Sequence, residues 1–296
     1  MKLAMSALIV LIIGCSTFQG KTEHQKTSIK ELKREVISID ETIRPGDVKF
    51  LKLPKMADSK LFCRGQEQRI SEGEDHSTAV VMESYFTEFK PFTCEFKIKD
   101  ELATVYNFTV MERRFNEETL RVNPRTIKLS QKDQDRAWQE QLILNKIYAS
   151  SHPSLFFKGP FVKPLKSKVT SIYGVRRVYN NEKKGQHLGT DFRAPIGEKV
   201  PATNRGKVVL ARDLFYTGYT VIIDHGMDIF TVYGHLSKTL VKEGDIVEKK
   251  DLIGLSGNTG RSSGPHLHWG VKVQGQYVDG MILVDESKKF FLTAEK

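Results

Sequence analysis

The sequence contains few cysteines and lacks an apolar run long enough to cross a bilayer as a helix. Its 296 residues include 3 cysteines and 8 histidines. The apolar stretch at residues 3–13 is shorter than the roughly twenty residues that a spanning helix needs. No basic run is interleaved with aromatics, so we expect no nucleic-acid partner despite a formal net charge of +10. The composition, 39% apolar and 28% charged, is that of an ordinary globular chain.

The first residues are typical of an export signal. A charged start precedes the apolar stretch at residues 3–13, which is followed by Gly14 and Cys15. This order is the pattern of a secretory signal, and a short buried helix is the alternative interpretation. We predict a signal peptide over residues 1–14 and a flexible tether over residues 15–35. We therefore expect the chain to be exported to the periplasm or cell envelope.

Residues 11–15 resemble the lipobox of bacterial lipoproteins. The resemblance implies that Cys15 carries lipid and anchors the chain in a membrane. Ser16 follows, where an aspartate often marks retention in the inner membrane. We therefore expect the outer membrane, if the cell has one.

Cys63 and Cys94 are left as a pair once Cys15 is assigned to lipid. Cysteines in an exported, oxidising compartment predict a disulfide. Such a bond would stabilise the fold by ~3 to 4 kcal/mol on the chain-entropy model. Two buried thiols are the alternative.

The chain is predicted to be mostly β, in two parts. Short apolar or alternating runs with turn residues between them predict a small antiparallel β-sandwich over residues 36–125, an accessory domain without a candidate catalytic cluster. Residues 157–290 are rich in strand-like runs punctuated by glycine. They predict a compact antiparallel β domain.

A linker helix is predicted within residues 126–156. Ser130 with Asp133 three residues later resembles a capping box, and the apolar residues that follow have helical spacing. We expect Trp138 and Tyr148 to pack against the protein rather than to form a binding stripe.

The second β domain concentrates side chains that bind metals. His266 and His268 are two apart in an apolar, β-prone segment, so both imidazoles point to one face of a strand. His187 and Asp191 are four apart, and Gly189 between them argues against a helix. The domain holds five of the eight histidines: His187, His225, His235, His266 and His268.

These residues match the ligand requirements of zinc. Zinc binds imidazole nitrogen and carboxylate oxygen, and a catalytic site uses three protein ligands with one position open for water. His187, Asp191 and one histidine of the His-x-His pair satisfy that count. We predict one Zn²⁺, with the remaining histidines acting on water and substrate.

Residues 157–278 resemble the lysostaphin/LytM-type zinc endopeptidases, which cut peptide cross-links of peptidoglycan. The resemblance implies a small, mostly antiparallel β fold that acts on peptidoglycan stem peptides. It implies His187, Asp191 and His268 as zinc ligands, and His235 and His266 as catalytic residues. His225 matches a position that is not a ligand, and we expect it to be structural. The matching blocks are residues 159–164, 171–176, 187–191, 224–226, 233–236 and 257–268.

The chemistry that the resemblance implies is metal-assisted amide hydrolysis. No helical His-Glu-x-x-His is present, so His235 and His266 would serve as general base and oxyanion stabiliser, in an order that the sequence leaves open. Also open are the bond that is cut and whether the first domain or residues 180–185 block the groove.

Two other functions remain possible at this stage. One is a non-catalytic regulator or activator of other wall hydrolases, since the first domain carries no chemistry and residues 241–247 resemble a lipoyl-type hammerhead, though without its Met-Lys-Met. The other is a zinc D-alanyl-D-alanine carboxypeptidase, whose first histidine and aspartate are spaced further apart.

Overall fold

The computed structural model describes residues 36–121, 129–181 and 183–292. The predicted signal peptide, the tether and Cys15 lie outside these residues. The first strands are β1 (Ile37–Ile43), β2 (Val48–Pro54), β3 (Ser59–Cys63), β4 (Gln66–Gln68), β5 (Ile70–Glu72), β6 (His76–Met82), β7 (Phe92–Ile98), β8 (Glu101–Val110) and β9 (Glu117–Leu120).

Helix α1 (Gln131–Tyr148) separates these strands from a second strand-rich part, and α2 (Gly280–Leu292) follows the last strand. The mostly β fold class is therefore confirmed. Neither described helix is long and apolar enough to cross a membrane. The second part contains β10 (Val169–Ser171), β11 (Arg176–Tyr179), β12 (Lys183–Gln186), β13 (Thr190–Arg193), β14 (Lys199–Pro201), β15 (Gly206–Leu214), β16 (Gly218–Asp224), β17 (Ile229–Thr239), β18 (Ile246–Val247), β19 (Leu252–Ser256), β20 (His266–Val273) and β21 (Gln276–Val278).

The first part contains the predicted sandwich of two sheets. One sheet has the strand order β1-β8-β7-β3-β4 and the other β2-β6-β5. Apolar side chains of both sheets, such as Leu51, Leu61 and Phe96, form a common core. The pairing is not wholly antiparallel, because β1 runs parallel to β8. These two strands are distant in the chain, so no hairpin fixes their relative direction.

A disulfide joins the two cysteines of this sandwich. Cys63 on β3 and Cys94 on β7 are directly opposite residues of an antiparallel pair. Their sulfur atoms are 2.03 Å apart, and the two cysteines are 31 positions apart in the sequence. Both side chains lie in the sandwich core.

The sheet of β2, β6 and β5 is covered by apolar side chains on both faces. Ala79 and Val81 of β6 point into the sandwich core, whereas Val80 and Met82 belong to the core of the second part. Residues 77–82 are consequently all buried. The accessory and C-terminal parts thus share this sheet, and the described residues belong to one compact unit.

Helix α1 contributes apolar side chains to a core cluster only near its end, through Leu144, Ile147 and Tyr148. Ser130 caps it by accepting a hydrogen bond from the Asp133 amide at 3.2 Å. Near its end, Tyr148 packs edge-on against Phe230. The expectation that Trp138 packs was wrong, because its side chain is 62% exposed. Helical spacing alone does not show which turns of a helix meet a neighbour.

The large sheet of the second part positions the predicted site residues on adjacent strands. Its order is β10-β13-β20-β17-β16-β15-β18, with β14, β19 and β21 paired beside this path. In the antiparallel register, Asp191 on β13 and Gly234 on β17 both lie opposite His268 on β20. His235 follows Gly234. The sheet therefore brings together residues that are far apart in sequence.

Candidate metal centre

Three of the predicted ligands converge beside the β13–β20 pair. His187 lies in the turn between β12 and β13, and Asp191 and His268 face each other across the two strands. Asp191 Oδ1 is 3.0 Å from His187 Nε2 and 2.8 Å from His268 Nδ1. The two nitrogens are 3.3 Å apart. One oxygen and two nitrogens thus point at a common space.

This donor set fits a zinc ion. Two imidazole nitrogens and a carboxylate oxygen are ligands that zinc accepts, and three protein ligands leave a position for water. In the described part of the chain, the group comprises these three residues, whose ligand atoms lie within 4.8 Å of one another. The arrangement can therefore hold a metal with an open coordination position.

Successive side chains of β20 point to opposite faces of the sheet, one toward the site and the other toward the core. His266 and His268 lie on the site face, while Leu267 and Trp269 on the opposite face are fully buried. The strand thus has the alternation of side-chain directions that the His-x-His spacing predicts.

The turn that carries His187 depends on a close approach at Gly189. A Cβ atom at this position would lie 2.4 Å from Cε1 of His268. Real side chains do not tolerate such a distance, so only glycine lets the turn pass this close to the histidine ring.

Backbone and hydroxyl contacts orient the His187 ring. Its Nδ1 donates to the Ile172 carbonyl at 2.9 Å and lies 3.1 Å from Ser171 Oγ. A proton held at Nδ1 leaves the Nε2 lone pair facing Asp191 and His268. Such a contact fixes the tautomer that a metal ligand needs.

The charges of the cluster suit a cation. Burial alone would raise the pKa of Asp191, but the adjacent imidazoles of His187 and His268 outweigh it and hold the pKa well below the usual value. Burial lowers the pKa of His268, with the Asp191 carboxylate opposing. Asp191 is therefore an anion and His268 is neutral near pH 7, as metal ligands must be.

The two histidines predicted to be catalytic lie together beside this cluster. The rings of His235 and His266 are 4.7 Å apart, and the rings of His235 and His268 are 6.0 Å apart. His266 Nε2 is 3.7 Å from Asp191 Oδ1. The structure thus places all five predicted side chains around one space.

Each of these two histidines is held through Nδ1. His235 Nδ1 donates to the Thr259 carbonyl and His266 Nδ1 to the Gly264 carbonyl, both at 2.8 Å. The loop between β19 and β20 supplies both acceptors. Each Nε2 is consequently unprotonated in the neutral ring and available to take a proton.

His235 has an unusual backbone conformation. Its φ is +60°, a left-handed value that costs energy in a non-glycine residue. The Thr217 carbonyl accepts a 2.6 Å hydrogen bond from its amide and stabilises this conformation. Burial, together with the nearby His268 and His266, lowers the pKa of the His235 side chain to about 4, against the opposing hydrogen bond to the Thr259 carbonyl. The ring is therefore neutral at pH 7, as a proton acceptor must be.

His225 lies outside the cluster and is fully buried. Its Nδ1 donates to the Arg205 carbonyl at 2.8 Å, and its Nε2 lies 2.7 Å from Thr231 Oγ1. Both ring nitrogens are thus occupied within the protein. These contacts agree with a structural role.

The sequence patterns did not identify Arg177, which lies close to Asp191, or its partner Glu118. Arg177 on β11 lies beside the carboxylate, and Glu118 on β9 pairs with that arginine. Arg177 follows Arg176, a residue of the matching blocks, but nothing in the local pattern distinguishes it. Glu118 is 59 residues from its partner, and only the parallel pairing of β9 with β11 brings them together.

Comparisons with known proteins converge on one family. Residues 185–280 match the model of peptidase family M23. Peptidoglycan DD-endopeptidase ShyA of Vibrio cholerae is 45% identical over 117 residues, which are 39% of this chain and 27% of that protein. The DD-carboxypeptidase/endopeptidase Mpg of Neisseria meningitidis is 36% identical over 124 residues, 41% of this chain and 29% of that protein. The chain thus spans less than a third of either relative.

A crystal structure covers more of the chain. It is that of a Pseudomonas aeruginosa protein assigned to peptidase M23, and it superposes with a TM-score of 0.65 at 27% identity. The match covers 82% of this chain and 95% of that chain. The similarity therefore extends well beyond the residues matched by the family model.

Proposed function

Since residues 185–280 form a peptidase domain of family M23, we propose that this chain is a zinc-dependent endopeptidase that hydrolyses peptide cross-links of peptidoglycan. One observation carries the proposal: His235 and His266 are both anchored through Nδ1 to carbonyls, and their rings lie beside the His187, Asp191 and His268 cluster. A metal site alone would serve structure or storage equally well. Two proton acceptors next to it favour hydrolysis.

His187, Asp191 and His268 would hold the zinc ion in this proposal. When bound, it supplies Lewis acidity that activates water and polarises the scissile carbonyl. The Nε2 atom of one catalytic histidine accepts a proton from the attacking water and returns it to the amine nitrogen that leaves as the C–N bond breaks. The Nε2 atom of the other, once protonated, donates a hydrogen bond to the developing oxyanion. Either His235 or His266 fits each role, because both are anchored in the same way.

The proposed substrate is the stem peptide of peptidoglycan. The relatives named as DD-endopeptidases support a bond between two D-centres as the site of cleavage. We further propose that the chain is exported and held in the cell envelope by lipid on Cys15, at the outer membrane where the cell has one. The signal-like stretch and the lipobox-like residues support this location.

A DD-carboxypeptidase is the second candidate. The relative named DD-carboxypeptidase/endopeptidase supports it, because the two reactions differ only in whether the leaving group is a cross-linked peptide or a terminal D-residue. A non-catalytic regulator would need an incomplete site. All five residues with proposed chemical roles are present in this chain, which favours an enzyme.

Digestion of purified sacculi tests these functions together. The protein is incubated with sacculi before and after chelation, and the soluble products are identified by mass spectrometry. We expect cross-linked dimers to be converted to monomers, chelation to stop the reaction, and added zinc to restore it. Release of terminal D-alanine without loss of dimers would identify a carboxypeptidase, and an unchanged product profile would identify a regulator.

A further inference from the structure

Arg177 contacts the outer side of the metal cluster. Its Nη2 donates to Ser171 Oγ at 2.9 Å and lies 3.7 Å from Asp191 Oδ2. Ser171 Oγ in turn lies 3.1 Å from His187 Nδ1. The Arg177 guanidinium therefore lies close to Asp191 directly and to His187 through Ser171.

The two oxygens of Asp191 face different partners. Oδ1 points at the nitrogens of His187 and His268, whereas Oδ2 lies toward Arg177. A cation beside Oδ2 disfavours rotation that would exchange the two oxygens. The carboxylate then offers Oδ1 to the metal in a single orientation.

Glu118 orients the guanidinium from its far side. Its Oε1 accepts a 2.7 Å hydrogen bond from Arg177 Nε. The backbone sets this contact, because Arg177 and Glu118 are register partners in the parallel pair of β11 and β9. The Arg177 side chain is only 20% exposed, so its charge is balanced by two carboxylates rather than by bulk water.

We propose that Arg177, oriented by Glu118, is a positioning residue for the metal ligand Asp191. Glu118 belongs to the segment that precedes α1, so the accessory part of the chain contributes to the metal site. Both residues lie outside residues 185–280, which match the family model. The inference rests on the proposed zinc site and adds to it a determinant of metal affinity.

Metal affinity of the full chain provides the test. Zinc affinity is measured by competition with a chromophoric chelator for the wild type, Arg177→Met, Arg177→Lys and Glu118→Gln. We expect Arg177→Met to weaken zinc binding about 10- to 100-fold, the range typical for loss of a residue that orients a ligand. Glu118→Gln should weaken it less, in the same direction. Arg177→Lys should lie between wild type and Arg177→Met, because it keeps the charge but not the fork of donors.

The visible absorption of the cobalt-substituted protein is the second measurement, since it reports ligand geometry. We expect Arg177→Met to alter this spectrum. A second ion pair serves as control: Arg212 on β15 and Glu243 in the turn between β17 and β18 have 2.6 Å between Nη2 and Oε1. Arg212→Met and Glu243→Gln should leave affinity and spectrum unchanged.

The outcomes separate this inference from the proposed function. A wild type without zinc affinity would overturn the zinc enzyme and this inference with it. A wild type that binds zinc, with Arg177→Met equal to it in affinity and in cobalt spectrum, would overturn the inference alone. Thermal unfolding of the metal-free variants identifies global destabilisation, and a loss of affinity without a shift of the midpoint supports the positioning role.

Discussion

The position of each imidazole relative to Asp191 distinguishes the histidines of the site. Carbonyls accept from Nδ1 of His235 and His266, which leaves each Nε2 free for proton transfer. In His268, Nδ1 is instead the atom that faces Asp191. His187 also donates from Nδ1 to a carbonyl, but its Nε2 faces Asp191 and His268, and this position marks it as a ligand.

Alanine at His235 and at His268 should therefore have different effects. We expect His268→Ala to lose both zinc and cleavage, because it removes a ligand. His235→Ala should keep zinc and lose cleavage by about 10²- to 10⁴-fold, the usual contribution of a general acid or base. Zinc content and the rate of muropeptide cleavage are measured on the same preparations.

The exposed His152 provides a matched control for these variants. His152→Ala should retain both zinc and activity. Full cleavage by His268→Ala would contradict the assignment of the metal site, and full cleavage by His235→Ala would contradict its catalytic role.

Buried His225 should make the fold sensitive to acid. Burial lowers the pKa of its side chain to about 4, against an opposing hydrogen bond to the Arg205 carbonyl and the charge of Asp224. Below its usual pKa of 6.5, the unfolded chain binds a proton that the folded protein excludes. The free energy of unfolding should thus fall between pH 6.5 and 4, by about 3 kcal/mol at 1.36 kcal/mol per pKa unit.

Urea unfolding of the metal-free protein across this pH range measures the effect. His225→Gln removes the titrating group, so its stability should decline less steeply between pH 6.5 and 4, although its stability near neutral pH is lower. Parallel pH profiles for the two proteins would show that other groups cause the decline.

At the scale of elements, the site was predictable where local sequence determines it. The His-x-His spacing on β20 fixes one face of a strand, and Gly189 indicates a turn between His187 and Asp191. Spacing named His187, Asp191 and one histidine of the His-x-His pair, whereas the choice of His268 and the selection of His235 and His266 came from the family resemblance. The structure brings all five together. Their individual roles remain predictions.

Substitution of Gly189 tests how closely this turn constrains the site. A Cβ would lie 2.4 Å from His268 Cε1 and 2.7 Å from its Nε2. We expect Gly189→Ala to displace the ring and to weaken zinc binding at least about 10-fold, while the midpoint of metal-free unfolding falls only slightly. Chelator competition and thermal unfolding provide the two measurements.

Gly159→Ala is the control for that substitution. A Cβ at Gly159 meets only the flexible end of Lys249, at 3.3 Å. Its zinc affinity should match the wild type. Wild-type affinity in Gly189→Ala would show that the turn can relax and that the close approach is not required.

Elements whose position depends on distant partners were not predictable. The parallel pairing of β1 with β8 and of β9 with β11 joins segments that no turn connects. Periodicity identifies such strands but not their neighbours. The role of Glu118 and the exposure of Trp138 both follow from tertiary contacts of this kind.

For the whole molecule, the shared sheet of β2, β6 and β5 is the connection that matters. Its two faces belong to two different cores, so the sandwich and the catalytic part bury apolar surface against the same strands. Separation of the two parts would expose Val80 and Met82 to water. The two parts should consequently unfold together rather than as independent domains.

Truncation of Met82 tests this coupling, because the side chain is buried in the core of the second part although it lies on a strand of the sandwich. We expect Met82→Ala to lower the free energy of unfolding by about 2 to 5 kcal/mol. Fluorescence of the fully buried Trp269 follows unfolding of the catalytic part, and hydrogen exchange of β7 and β8 follows the sandwich. Both measurements should shift by the same free energy. A loss of protection in β7 and β8 at an unchanged Trp269 midpoint would show that the shared sheet does not couple the two parts.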